Sequence, residues 1–143
     1  MFIGEYQANI DEKGRIAVPR KFRSLLKKHV VVTRGLDQSL FLYNLDEWKK
    51  LAAKLASLPI STSNTRAFSR LMLAGAMDCE LDRQGRIILP TYLKEFARMQ
   101  KKIVFAGLFN RVEIWSEDLW TAYKAQTEKD SNAIAEQLGS LGV

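Results

Sequence analysis

Polar and apolar positions alternate from Gly4 to Ile10, with Tyr6, Ala8 and Ile10 on one side and Glu5, Gln7 and Asn9 on the other. That period of two predicts a strand with one buried face. Asp11-Glu12-Lys13-Gly14 then reads as a tight turn, because Asp suits its first position and Gly its fourth, and Arg15 to Val18 is a short returning strand. Pro19 fits a helix start, and the helix through Leu26 gathers Phe22, Leu25 and Leu26 on its apolar side while Arg20, Lys21, Arg23 and Lys27 face outward. The β-branched run Val30 to Thr33 is a strand, Gly35 to Ser39 a loop and Leu40 to Tyr43 its return. Asn44 with Glu47 marks a helix start. The helix it opens buries Trp48, Leu51, Ala52 and Leu55, exposes Lys49, Lys50 and Lys54, and stops at Leu58-Pro59.

The same order then repeats. Asp11-Glu12-Lys13-Gly14-Arg15-Ile16 returns seventy-one residues later as Asp82-Arg83-Gln84-Gly85-Arg86-Ile87, and Pro19 is answered by Pro90. After a one-residue shift, Val32 pairs with Val104, Gly35-Leu36 with Gly107-Leu108, and Asp46-x-Trp48 with Asp118-x-Trp120. The second copy predicts strands at Met77–Leu81, Arg86–Leu89, Ile103–Phe105 and Val112–Trp115, with helices from Pro90 and from a Ser116 N-cap. A polar connection, Ser61 to Asn64, and a bridging helix from Thr65 to Ala74 join the copies, with Gly75 at the helix end. Beyond Lys129 the pattern predicts only a short helix around Ile134 and Leu138, with Gly139 onward frayed. The expected fold is therefore α+β: two tandem β-β-α-β-β-α repeats, at 5–47 and 76–119, a bridging helix between them and a terminal helix. Each half is about fifty residues, too small to bury a comfortable core alone, so the halves should pack on each other.

Charge sharpens this picture. The net charge is +6, and eight cations with no acid lie between Lys13 and Leu36. Six more lie between Arg83 and Lys102 against the single Glu95, so fourteen of the 22 cationic residues occupy matching windows of the two copies. One such run reads as a solvated face, but two placed by internal repetition favour a polyanion partner.

The sequence offers little for catalysis. It has no nucleophile elbow, phosphate-binding glycine loop, zinc-protease motif or dinucleotide fingerprint, and its one histidine, His29, sits beside Lys27 and Lys28 at a helix end. The lone Cys79 allows neither an intrachain disulfide nor a paired-cysteine metal site, and it reads as a small buried hydrophobe. No enzyme, cofactor, metal or small-molecule substrate is expected. No stretch reaches the roughly 20 apolar residues of a membrane helix, and the N-terminus lacks a signal-peptide profile, so a cytoplasmic protein is expected.

The repeated turn is the strongest candidate site. Turn chemistry accounts fully for Asp11, Gly14, Asp82 and Gly85. It does not require Arg15 and Arg86. An Asp11–Arg15 salt bridge would account for the arginine too, although exposed pairs contribute only about 0–1 kcal/mol. A two-stranded ribbon fits the DNA major groove, where a guanidinium can bond guanine O6 and N7 together, a fork that lysine cannot copy. The expected DNA contacts are Arg15 and Arg86 at bases or adjoining phosphates, with Lys13, Arg20, Lys21 and Arg83 fixing position on the backbone.

The opening Met-Phe-x-Gly-Glu-Tyr, the paired Asp-x-x-x-Arg turns, the Val18-Pro19 and Leu89-Pro90 strand ends, and the two Gly-Leu…Trp arms closing at Trp48 and Trp120 resemble the MraZ family. The likeness covers nearly the whole chain, all but the last dozen or so residues. It implies a tandem, pseudo-two-fold version of the SpoVT/AbrB swapped-hairpin barrel. It also implies a nucleoid-associated bacterial transcription regulator, usually a repressor, acting on G-rich promoter direct repeats before the division and cell-wall gene cluster. Ring-shaped homo-oligomers, with eight subunits as a candidate number, come with it. The motif arginines carry over to Arg15 and Arg86. The second copy departs in having Gln84 where the first has Lys13, with Arg83 as a candidate replacement for the charge. Two alternatives stand beside DNA binding. One is a protein-interaction or ring-forming module built on Phe41, Tyr43, Trp48, Phe109, Trp115 and Trp120, most of which alternation places in the core. The other is an AbrB-like antitoxin, for which the tail is short.

Overall fold

A computed structural model describes residues 1–143. The first copy supplies strands β1 (Phe2–Asn9), β2 (Arg15–Ala17), β3 (His29–Arg34) and β4 (Leu40–Asn44), with helices α1 (Arg20–Leu26) and α2 (Leu45–Ala56). Helix α3 (Ser63–Ser69) continues as one wide turn through Ala74 and bridges to the second copy. That copy holds β5 (Met77–Glu80), β6 (Arg86–Ile88), α4 (Thr91–Phe96), β7 (Lys102–Phe109), β8 (Val112–Ser116) and α5 (Glu117–Lys129), followed by α6 (Ser131–Gln137). Pro19 stands as the cap just before α1 instead of as its first residue. Asn44 Oδ1 accepts from Glu47 N at 2.9 Å, and Ser116 caps α5 by accepting from Leu119 N. His29 opens β3 opposite Glu80, so it is an exposed strand residue and does not belong to the helix end. Gly139 to Leu141 forms one more tight turn where fraying was expected.

The copies exchange strands. Six strands form one antiparallel sheet in the order β1-β7-β8-β4-β3-β5, so the first strand of each copy pairs with the third strand of the other. The short strands β2 and β6 pair with each other in a separate ribbon. Three residues are too few for an independent hairpin, and pairing across the copies gives each strand a partner and a shared core. The Asp turns therefore do not close hairpins of their own. Each instead links a strand of the large sheet to a strand of the ribbon.

Register defines a pseudo-two-fold axis. In the ribbon the equivalent residues Ile16 and Ile87 face one another, and in the large sheet Phe41 faces its counterpart Glu113. Pairing also corrects the alignment of the copies. Val32 lies opposite Met77 and Phe105 opposite Tyr6, so Val32 corresponds to Phe105, not Val104, and Arg34, not Gly35, corresponds to Gly107. Counted from element start to element start, α4 to β7 spans two residues more than α1 to β3, and β7 to β8 one residue fewer than β3 to β4. Residue identity alone averaged these into a single shift.

The central strands of the sheet are buried on both faces, while the edge strands β1 and β5 each leave one face exposed. Val30, Val32, Leu40, Leu42, Ile103, Phe105, Val112 and Ile114 pack beneath it against Ile16, Val18, Phe22, Ile87, Leu89 and Leu93 of the ribbon and of α1 and α4. Above it Phe41 and Tyr43 meet Leu55, Trp48 and Met72, while Trp115 packs edge-on against Trp120 and at a tilt against Tyr123 of α5. Most of the aromatic arm is thus core. Phe109 is the exception at 69% exposed, and Leu25, expected inside, lies at the surface.

Candidate nucleic-acid interface

Each turn is built by its aspartate. Asp11 Oδ1 accepts from the backbone N–H of Lys13 and of Arg15, both at 2.9 Å, while Oδ2 accepts from Arg15 Nε at 2.6 Å. Asp82 does the same with Gln84 N and Arg86 N, both at 2.8 Å, and with Arg86 Nε at 3.0 Å. The fourth turn position is left-handed in both copies, φ 79° at Gly14 and 71° at Gly85, a conformation that costs glycine nothing. Backbone donors, Arg15 N foremost, then the guanidinium bond, hold the Asp11 carboxyl below its ordinary value, and Arg86 N does the same for Asp82.

The salt bridge weighed from the sequence is therefore present, yet it occupies only one corner of each guanidinium. Only Nε is engaged, and the terminal nitrogens of Arg15 and Arg86 have no acceptor in the protein. A planar fork held from behind by a carboxylate, with its outer edge free, is oriented for bidentate recognition.

The ribbon sets both forks on one face. Arg15 lies opposite Ile88, and Ala17 opposite Arg86. Because Ile16 and Ile87 point into the core, Arg15, Ala17, Arg86 and Ile88 all point the other way. Diagonal neighbours of this kind stand about 7–8 Å apart. Their side chains are similarly exposed, 30% for Arg15 and 29% for Arg86. A groove of about 370 Å³ runs between them, lined on its apolar side by Met77, Cys79 and Ile88. Burial pushes the Cys79 thiol up to about 11, so it stays protonated and inert at neutral pH.

Lys13 and Arg83 project from the turns, and Arg20 and Lys21 lie exposed at the start of α1. None of these four has an acidic partner within ion-pair distance. The second copy has Thr91 and Tyr92 where the first has Arg20 and Lys21, so positive charge around the ribbon is weighted toward the first copy. Sequence reading missed two cations that approach the turns from beneath. Arg23 reaches Gly85, and Lys94 reaches Gly14, each across the copies. In the sequence Arg23 reads only as an outward-facing helix residue and Lys94 only as one cation of its basic window, and the sole further signal is the glycine each one crowds.

Tandem copies that exchange strands around one shared arginine ribbon define a swapped-hairpin domain of the SpoVT/AbrB-like class. The chain belongs to the MraZ family. The model of that family, described as "MraZ protein, putative antitoxin-like", matches residues 1–71 and again 72–140. The "Transcriptional regulator MraZ" of Caldanaerobacter subterraneus subsp. tengcongensis is 46% identical over 143 residues, covering 100% of both chains. The protein of that name from Halothermothrix orenii is 49% identical, again over 100% of both, and that from Natranaerobius thermophilus is 49% identical over 96% of each. No helix is long and apolar enough to cross a membrane.

Proposed function

We propose that this protein is a DNA-binding transcriptional regulator, without enzymatic activity, that acts in the cytoplasm on nucleoid DNA. Its finer role is that of a repressor reading G-rich direct repeats ahead of the division and cell-wall gene cluster. Family membership supports the general role. The observation that carries the DNA contact is the pair of aspartate-held guanidinium forks on one exposed ribbon face, flanked by four cations without acidic partners. Arg15 and Arg86 read guanine edges, while Lys13, Arg20, Lys21 and Arg83 hold phosphates.

Titrating the full chain onto duplex DNA from upstream of its own gene, at several salt concentrations, tests this reading. Affinity should fall steeply as salt rises. Arg15→Ala should cost about 1–3 kcal/mol and relax discrimination at one base pair. Unchanged affinity and selectivity in Arg15→Ala would remove it from the interface.

Self-association is part of the same proposal. Where β1 meets β7, Met1, Ile3, Leu108 and Phe109 form an exposed apolar patch, with Ile3 directly paired to Leu108. Such a patch suits a second copy in a ring. Solution mass should exceed that of one chain and fall for Phe109→Ser; a wild-type monomer would contradict it.

A further inference from the structure

We infer that each DNA-facing turn borrows a phosphate-binding cation from the opposite copy, Arg23 serving the Asp82–Gly85 turn and Lys94 the Asp11–Gly14 turn. This rests on the reading of the ribbon as a DNA-binding face. The two residues occupy equivalent places on α1 and α4, and each packs beneath the turn of the other copy. Arg23 Nε donates to Val18 O at 2.7 Å, which fixes the guanidinium so closely under Gly85 that an added Cβ there would collide with it. Lys94 Nζ lies 3.3 Å from the place a Gly14 Cβ would occupy. The backbone makes the same crossing: Val18 N donates to Gly85 O and Leu89 N to Gly14 O, both at 2.9 Å.

Neither cation is consumed by the protein. Arg23 keeps both terminal nitrogens without an acceptor, and neither residue has an acidic partner. An arginine whose Nε is tied to a carbonyl presents the remaining fork to a phosphate, and a lysine supplies a point charge. The arrangement also accounts for the asymmetry of the turns. The second turn has Gln84 in place of Lys13, and Arg23 of the first copy stands against Gly85, the residue between Gln84 and Arg86. The first turn carries the extra acid Glu12, and Lys94 offsets it.

The test measures how affinity for the upstream duplex depends on salt in the full chain carrying Arg23→Gln, Arg23→Lys or Lys94→Gln, with thermal unfolding followed alongside. Arg23→Gln and Lys94→Gln should each make the slope of log K against log salt shallower by about 0.9 per engaged subunit, because one phosphate contact is lost. They should weaken all sequences alike, and Arg23→Lys should restore the slope. An unchanged slope in both glutamine variants would overturn the inference. So would weakening that tracks a lower unfolding temperature and is not rescued by lysine, since Arg23 would then be only a clamp. A flat salt dependence in the wild type would instead overturn the DNA reading itself, and this inference with it.

Discussion

Asp11 and Asp82 carry opposite consequences for strength and selectivity of binding. Each carboxylate orients an arginine, but on the proposed reading each also places a negative charge beside DNA. Asp11→Asn can keep the turn, since its side-chain oxygen still accepts from the backbone, while the charged grip on Arg15 is lost. Affinity for random duplex should therefore rise a few-fold, and the preference for target over random duplex should fall by roughly 3–10-fold, as expected for the loss of one oriented contact worth about 1 kcal/mol. Competition binding with both duplexes checks this, and unchanged preference would mean that the aspartate serves only the turn. The pH behaviour follows in sign. Both carboxyls titrate below the ordinary value of 3.8 in the folded protein, so their contribution is complete above that value and is lost as pH falls through the lower folded one. Carboxyl resonances followed by NMR should show depressed midpoints at both residues, and any change in binding between pH 5 and 8 should owe nothing to their titration, since both stay ionised throughout. A midpoint at or above the ordinary value would contradict the turn geometry.

Among the elements, β1 depends most on its partner. Gly107 sits opposite Gly4, and a Cβ at Gly107 would fall 2.6 Å from Ile3 N, against backbone that cannot swing aside. Gly107→Ala should destabilise the fold by about 1–3 kcal/mol through overpacking and loosen β1 from β7, read as lost amide protection along Phe2 to Asn9. Full protection at unchanged stability would contradict it. Phe22→Ala should cost more, about 3–5 kcal/mol, because its fully buried ring meets Phe2 and Tyr6 edge-on. Element types and inward faces were legible in the sequence, since alternation and caps are local signals. Strand partners were not. Alternation in Gly4–Ile10 says that Tyr6 and Ala8 face a core, but nothing in it says that the neighbouring strand belongs to the other copy. The candidate site divides in the same way. Arg15 and Arg86 stood out because duplication repeated a residue the turn does not need, whereas Arg23 and Lys94 are visible only once the copies are interlocked.

The whole molecule is a single interlocked unit in which neither half completes its own sheet. Residues 1–71 expressed alone lack β5 for β3 and β7 for β1, so they should be unfolded or self-pair as a dimer, and mixing with 72–143 should restore native circular dichroism. A stable, cooperative monomer of 1–71 would contradict the exchanged topology. Interlocking also explains how two turns more than seventy residues apart in sequence present their arginines within one ribbon. If these paired forks read guanine, replacing single guanines of the upstream duplex by 7-deazaguanine removes an acceptor that each fork needs. The wild type should lose affinity at specific guanines, because N7 is one of the two acceptors the fork bonds, and Arg15→Ala/Arg86→Ala should be indifferent to the same replacements. Equal sensitivity in the two proteins would mean that Arg15 and Arg86 do not read guanine.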